Sequence, residues 1–187
     1  MDKTEFNDKI SVLLTREDGS RETFEQDKIK MTGLVTARLY DKNGKFKAER
    51  IVKNVVVNEG KNLNLDVAFG ATAKPSWFMA LIDTTGVNGS PAVTDTMLNH
   101  SNWNENTNYA SATRPAWTPG AAASQSVTNA TAISFAINAT ATIKGAFITS
   151  NSTKGGTTGT LWSAAEFSSL PVVNGDTLRL TYSLTIN

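Results

Sequence analysis

Thr177-Leu178-Arg179-Leu180-Thr181-Tyr182-Ser183-Leu184-Thr185-Ile186 alternates without a break: Leu178, Leu180, Tyr182, Leu184 and Ile186 fall on one side, the polar residues on the other. Side chains of an extended strand point to opposite faces in turn, so a period of two over ten residues predicts a strand buried on one face. Asn174-Gly175-Asp176 supplies the turn before it. Upstream, Ile133, Phe135, Ile137, Ala139, Ala141 and Ile143 alternate in the same way, and Gly145–Thr149 completes a strand pair or a bent long strand. The flexible turn Lys154-Gly155-Gly156-Thr157-Thr158-Gly159 leads into a further strand, Leu161–Phe167. The inward faces are expected to be built from Ile133, Phe135, Ile137, Leu178, Leu180, Tyr182 and Leu184.

Working outward, Gly33–Tyr40 is rich in β-formers, Asp41-Lys42-Asn43-Gly44 reads as a hairpin turn, and Lys45–Val52 continues beyond it. Val55-Val56-Val57 extends the pattern. Asn58-Glu59-Gly60 then precedes one helical segment near Asn62–Phe69, with Leu63 and Val67 at helical spacing and Gly70 as its stop. Trp77–Ile82 is an apolar run of strand length. From Asp83 to Ser126 there is little periodicity, and a segment this long must contain short strands or be pinned by contacts. About eight strands joined by turns predict a mostly β chain, an antiparallel β-sandwich of jelly-roll type with one short helix.

The chain has 187 residues, 40% of them apolar, which suits one domain with an arm. Charge is uneven. Residues 1–61 hold 24 charged side chains, whereas the remaining 126 residues hold 11 and are rich in Thr, Ser, Asn, Ala and Gly. So neutral a surface suits either a β-rich protein kept soluble by short polar groups or one covered by a neighbour, where few charges must be desolvated. Residues 1–30 carry 6 Lys+Arg and 8 Asp+Glu, too many for a core. They read as an extended N-terminal arm with one short strand at Ile10–Thr15 and a turn at Glu17-Asp18-Gly19-Ser20; residues 31–187 form the sandwich. A lone strand needs an edge to complete its hydrogen bonds, so the arm is expected to reach a neighbouring subunit through Ile10, Val12 and Leu14.

The chemistry on offer is sparse. A net charge of +1 argues against bulk attraction to nucleic acid or an anionic membrane. No apolar run is long enough for a membrane span, and the opening residues lack the apolar core of a signal peptide. With no cysteine, disulfides, thiolate metal sites and cysteine nucleophiles are excluded. His100, the single histidine, lies in the polar stretch Asn99–Asn102 without a G-x-S-x-G elbow, and reads as a surface or hydrogen-bonding residue. Gly155-Gly156 has no helix after it to cradle phosphate. Asp95 and Glu105 are the one carboxylate pair worth testing for glycoside hydrolysis. No catalytic, cofactor-binding or metal-binding residue is assigned. Trp103, Tyr109 and Trp117 sit in the aperiodic interval, where aromatics serve as a sugar-stacking platform, a plug for the sandwich end or an oligomer contact.

Several short motifs, in order, resemble a known family. They are Asp41-Lys42-Asn43-Gly44-Lys45, Lys53-Asn54-Val55-Val56-Val57-Asn58-Glu59-Gly60, Trp77-Phe78-Met79-Ala80-Leu81-Ile82, Trp103-Asn104-Glu105 with Tyr109, Ser111-Ala112-Thr113-Arg114-Pro115, Ala141-Thr142-Ile143-Lys144-Gly145-Ala146-Phe147, and Gly175-Asp176-Thr177-Leu178. The pattern over residues 31–187 is similar to the capsid cement or decoration proteins of tailed bacteriophages, small head proteins with a jelly-roll fold. The resemblance implies a non-enzymatic virion protein on the capsid surface, assembled in the host bacterial cytoplasm. It would bind across subunits of the major capsid protein and associate with itself as a dimer or trimer, without cofactor, nucleic acid or membrane. Ile10, Val12, Leu14, Trp103, Tyr109 and Trp117 are the expected subunit or capsid contacts. The alternative is a tail or fibre module that recognises a host surface glycan through Trp103, Tyr109 and Trp117.

Overall fold

The computed structural model describes residues 9–15, 20–27, 30–83, 85 and 89–187. Within these, the chain runs β1 (Lys9–Thr15), β2 (Arg21–Asp27), β3 (Met31–Tyr40), β4 (Phe46–Lys53), β5 (Val55–Val56), α1 (Asn58–Ala68), β6 (Trp77–Asp83) and β7 (Asn104–Asn106). It continues through β8 (Ala116–Trp117), β9 (Ser126–Thr128), β10 (Ile133–Ala136), β11 (Ala141–Thr149), β12 (Leu161–Val172) and β13 (Thr177–Ile186). One sheet has the order β10-β13-β3-β4, with β9 also on β13; the other has the order β5-β12-β11-β6-β7, with β8 also on β6. Every pairing is antiparallel, and the two sheets pack face to face as a β-sandwich.

The C-terminal strand lies at the centre of its sheet. Leu178, Leu180 and Tyr182 are buried against Val35, Ala37, Leu39, Ile133 and Phe135, while Leu184 is partly buried at the end. The ladder with β3 runs from Thr177 opposite Tyr40 to Ile186 opposite Met31. In the β3–β4 hairpin, Asp41 Oδ1 accepts from the amides of Asn43 and Lys45 at 2.9 Å, and Gly44 takes the positive φ of 79° that the turn demands.

Three expectations are corrected by topology. The alternation from Ile133 to Ile143 is not one strand: β10 belongs to the first sheet and β11 to the second. Both sheets face the same core, so the apolar period survives the crossover. The helix begins at Asn58, not near Asn62, and it includes Gly60. A Cβ on Gly60 would stand 2.4 Å from the Trp162 carbonyl oxygen, so this glycine permits close helix–strand packing and does not break the helix. The arm, finally, is more than one strand. β1 pairs with β2 over seven residues, from Lys9 opposite Asp27 to Thr15 opposite Arg21. An edge a few residues away in the same chain costs little loop-closure entropy, so it is found before a neighbour's. Most of the expected turn at Glu17–Ser20 lies outside the described residues.

The second sheet is buried on both faces, which accounts for the unbroken apolar run in β6. Met79 and Leu81 face the sandwich core. Ala80 and Ile82 face an outer cluster with Val57, Met97, Trp103, Phe147, Leu161 and Ala164. The long interval before β7 therefore forms a third layer, pinned by Met97 and Trp103.

Candidate functional site

Trp103 and Tyr109 do not form an exposed contact surface; each is at most 1% exposed. Trp103 stacks on His100 at 3.8 Å, packs on Phe147 at 5.0 Å and donates Nε1–H to Asp95 Oδ2 at 2.8 Å. Burying an indole removes about 200 Å² from water, so this residue anchors the outer layer and is not left for a partner. Asp95 also accepts from the Ala92 amide, which completes a structural turn. Tyr109 meets Phe135 edge-on at 5.1 Å, and the Lys154 ammonium lies 4.3 Å from its ring centre. Burial, reinforced by the negative charge of Glu105, pushes its hydroxyl well above the usual tyrosine range.

Glu105 is likewise committed. It holds Arg114 through Nε at 3.0 Å and Nη2 at 2.6 Å, while the Gly155 amide donates to it at 2.9 Å. Arg114 is 0% and Glu105 8% exposed at the side chain, and Arg114 also donates to the carbonyls of Asn151 and Gly156. The loop after β7 is thus tied to the loop after β11. Asp95 and Glu105, the carboxylates considered for glycoside hydrolysis, serve two different structural networks.

Trp117 does line an open space. In β8 it sits directly opposite Trp77 of β6. Trp77 packs on Trp162 at 5.4 Å, Trp117 meets Tyr182 at 5.8 Å, and Trp162 Nε1–H donates to the Tyr182 hydroxyl at 3.3 Å. These four rings line a cavity of about 290 Å³ between the sheets, where β13 ends and β6 and β12 begin. Leu184, Val127 and Ile148 extend the apolar lining, and Asn64 of α1 and Lys74 stand at its edge. Lys74 is the one charged residue among those lining the cavity. Burial raises the Tyr182 hydroxyl above its usual range, so it stays neutral while it accepts from Trp162 and from Asn54 Nδ2 at 2.9 Å.

Of the three expected aromatic contacts, then, Trp117 lines this cavity, whereas Trp103 and Tyr109 are buried elsewhere. Ile10, Val12 and Leu14 lie on β1, paired with Gln26, Phe24 and Glu22 of β2, and their side chains lie outside the described residues. Trp77, Trp162, Tyr182, Asn64 and Lys74 were not among the predicted site residues. Trp77 and Trp162 open strands in buried sequence, where they read as core, and only the pairing of β6 with β8 brings Trp117 beside them. No family model, curated protein or solved structure matches the chain.

Proposed function

We propose that this chain is a structural virion protein, a bacteriophage capsid cement protein that docks across assembled major capsid subunits and stabilises the head. The observation that carries the reading is the N-terminal ribbon. Among the described residues, β1 and β2 form a two-stranded sheet hydrogen-bonded to neither sheet of the body. A two-stranded ribbon is marginal in water by itself, and the alternation of Ile10, Val12 and Leu14 in the sequence of β1 is the pattern of a strand covered on one face. Such an element gains its stability from a surface that covers that face. The charge-poor body supports the same reading, since few ions need be desolvated when neighbours pack around it. Several modest contacts per assembly then add up through avidity. A jelly-roll connection of the strands and a dimer or trimer on the shell belong to this proposal.

The test is a chain beginning at Lys30. It is expected to fold as the full chain does, because the β3–β13 ladder extends to Lys30, whose amide and carbonyl pair with Asn187 at 2.8 and 2.9 Å. It is expected to lose its hold on assembled heads. Equal decoration by the truncated and full chains would refute the tether. Copy number on the native particle, read by electron cryomicroscopy, separates cement (hundreds) from a tail module (a few to tens). The glycan-binding alternative retains only Trp117 of its three aromatics.

A further inference from the structure

Phe69 is 85% exposed, an unusual position for so large an apolar side chain. It is not on a loose loop. It caps α1, whose end is fixed by two backbone bonds: the Ala71 amide donates to the Asp66 carbonyl at 2.7 Å and the Gly70 amide to the Val67 carbonyl at 3.3 Å. Gly70 takes φ of 76°, completing a Schellman motif. The ring is therefore presented from a rigid base, so little backbone entropy is left to lose when it is covered. Leu65, 58% exposed, stands one turn earlier on the same side.

The aromatic cavity opens beside the same helix. Asn64 lines it, five residues and about 7.5 Å of helix rise from Phe69. At about 290 Å³ it exceeds the roughly 150 Å³ that suffices for benzene in an apolar protein cavity, so a phenyl ring fits. Phe69 does not fill its own chain's cavity. Charge points the same way. Asp66 lies in the last turn of α1, where the helix dipole disfavours an anion and no basic residue compensates. Lys74 is the lone cation on the cavity edge. Among the described residues neither forms an ion pair.

We propose that a second copy of this chain occupies the cavity: Phe69 of each protomer inserts among Trp77, Trp117 and Trp162 of the other, and Asp66 of each meets Lys74 across a two-fold axis. Because knob and socket belong to neighbouring stretches of one chain, a two-fold operation satisfies both at once and closes the assembly. This rests on the reading above that the protein associates with itself, and names the surface.

Sedimentation velocity on the full chain over a micromolar concentration series tests it. The wild type is expected to form a dimer, and Phe69→Ser and Ala122→Arg, which blocks the exposed rim, are each expected to weaken it tenfold or more. Asp66→Lys and Lys74→Asp are each expected to weaken association, and the two together to restore it. Leu98→Ser, which removes an equally exposed apolar residue away from the cavity, is expected to leave it unchanged. A wild type that stays monomeric, a Phe69→Ser chain that dimerises normally, or a charge swap without recovery would overturn the proposal. So would a monomeric wild type whose tryptophan emission responds to a saccharide in the cavity. Head binding by the Phe69→Ser chain reports on the cement reading separately, so each can fail without the other.

Discussion

Replacing Arg114 by methionine keeps most of the side-chain volume and removes the charge. The structure shows what is lost: two bonds to the Glu105 carboxylate, one each to the Asn151 and Gly156 carbonyls, and the guanidinium 5.3 Å from the centre of the Phe147 ring. Glu105, 8% exposed at its side chain, would be left with the Gly155 amide and no cation. Breaking a buried pair from one side costs about 3–5 kcal/mol, because the remaining charge is stranded. For a chain of this size each kcal/mol moves the midpoint by roughly 2–4 °C, so Arg114→Met should melt roughly 10 °C lower. Urea unfolding followed by circular dichroism supplies the free energy. The deficit should be nearly the same at low and high salt, since ions screen a buried pair poorly. Adding Glu105→Leu should recover part of the loss by removing the stranded charge. A deficit below about 1 kcal/mol, the range of an exposed pair, or a double variant no better than the single, would refute the reasoning.

Gly145→Ala would place a Cβ 2.1 Å from the Ala165 carbonyl oxygen in the middle of the second sheet; a loss of about 2–3 kcal/mol is expected in urea, and an unchanged midpoint would contradict the close approach. Tyr182→Phe strands the Asn54 and Trp162 donors, which should cost about 1–3 kcal/mol with the cavity tryptophans as the fluorescent reporter. Burial raises the Glu59 carboxyl above its ordinary range, against the opposing hydrogen bond from the Leu161 amide. A raised folded-state pKa means stability that is present below the unfolded value and lost as pH climbs through the folded one. Glu59→Gln should therefore gain on the wild type at neutral pH and converge with it in acid; a gap that widens on acidification would reverse the sign.

Alternation made the sandwich legible wherever one strand face meets the core, as in β13, where each inward residue is apolar. It misled where physics let one pattern serve two structures: the Ile133–Ile143 run spans a crossover because both sheets share a core. β2 was not legible, since Arg21–Asp27 carries one apolar residue in seven and its pairing depends on β1. The cavity was hidden for another reason. Trp77, Trp117 and Trp162 are separated by 40 and 45 residues; Trp77 and Trp162 are locally explained by strands, while Trp117 falls in an aperiodic stretch. Their convergence is a property of sheet order alone.

The two ends of β13 show why the aromatics divide into core and cavity. Near Leu178, Phe135 packs on Tyr109, and the Tyr109–Ile137 bridge draws the loop after β7 across that end. Four and six residues on, about 13 and 20 Å along the strand, Tyr182 and Leu184 face Trp117 and Val127 with space between the sheets. The closed end has Arg114 and Glu105 to hold its loops, and so can shield Tyr109 fully. At the open end β8 contributes only Ala116 and Trp117, too short a strand to cover what it borders. Apolar lining left in water is unfavourable at ~25 cal/mol per Å², a cost that a partner's side chain would remove. Under the proposed two-fold contact, the exposed Phe69 of a second copy would fill this end, and both apolar surfaces would leave water together.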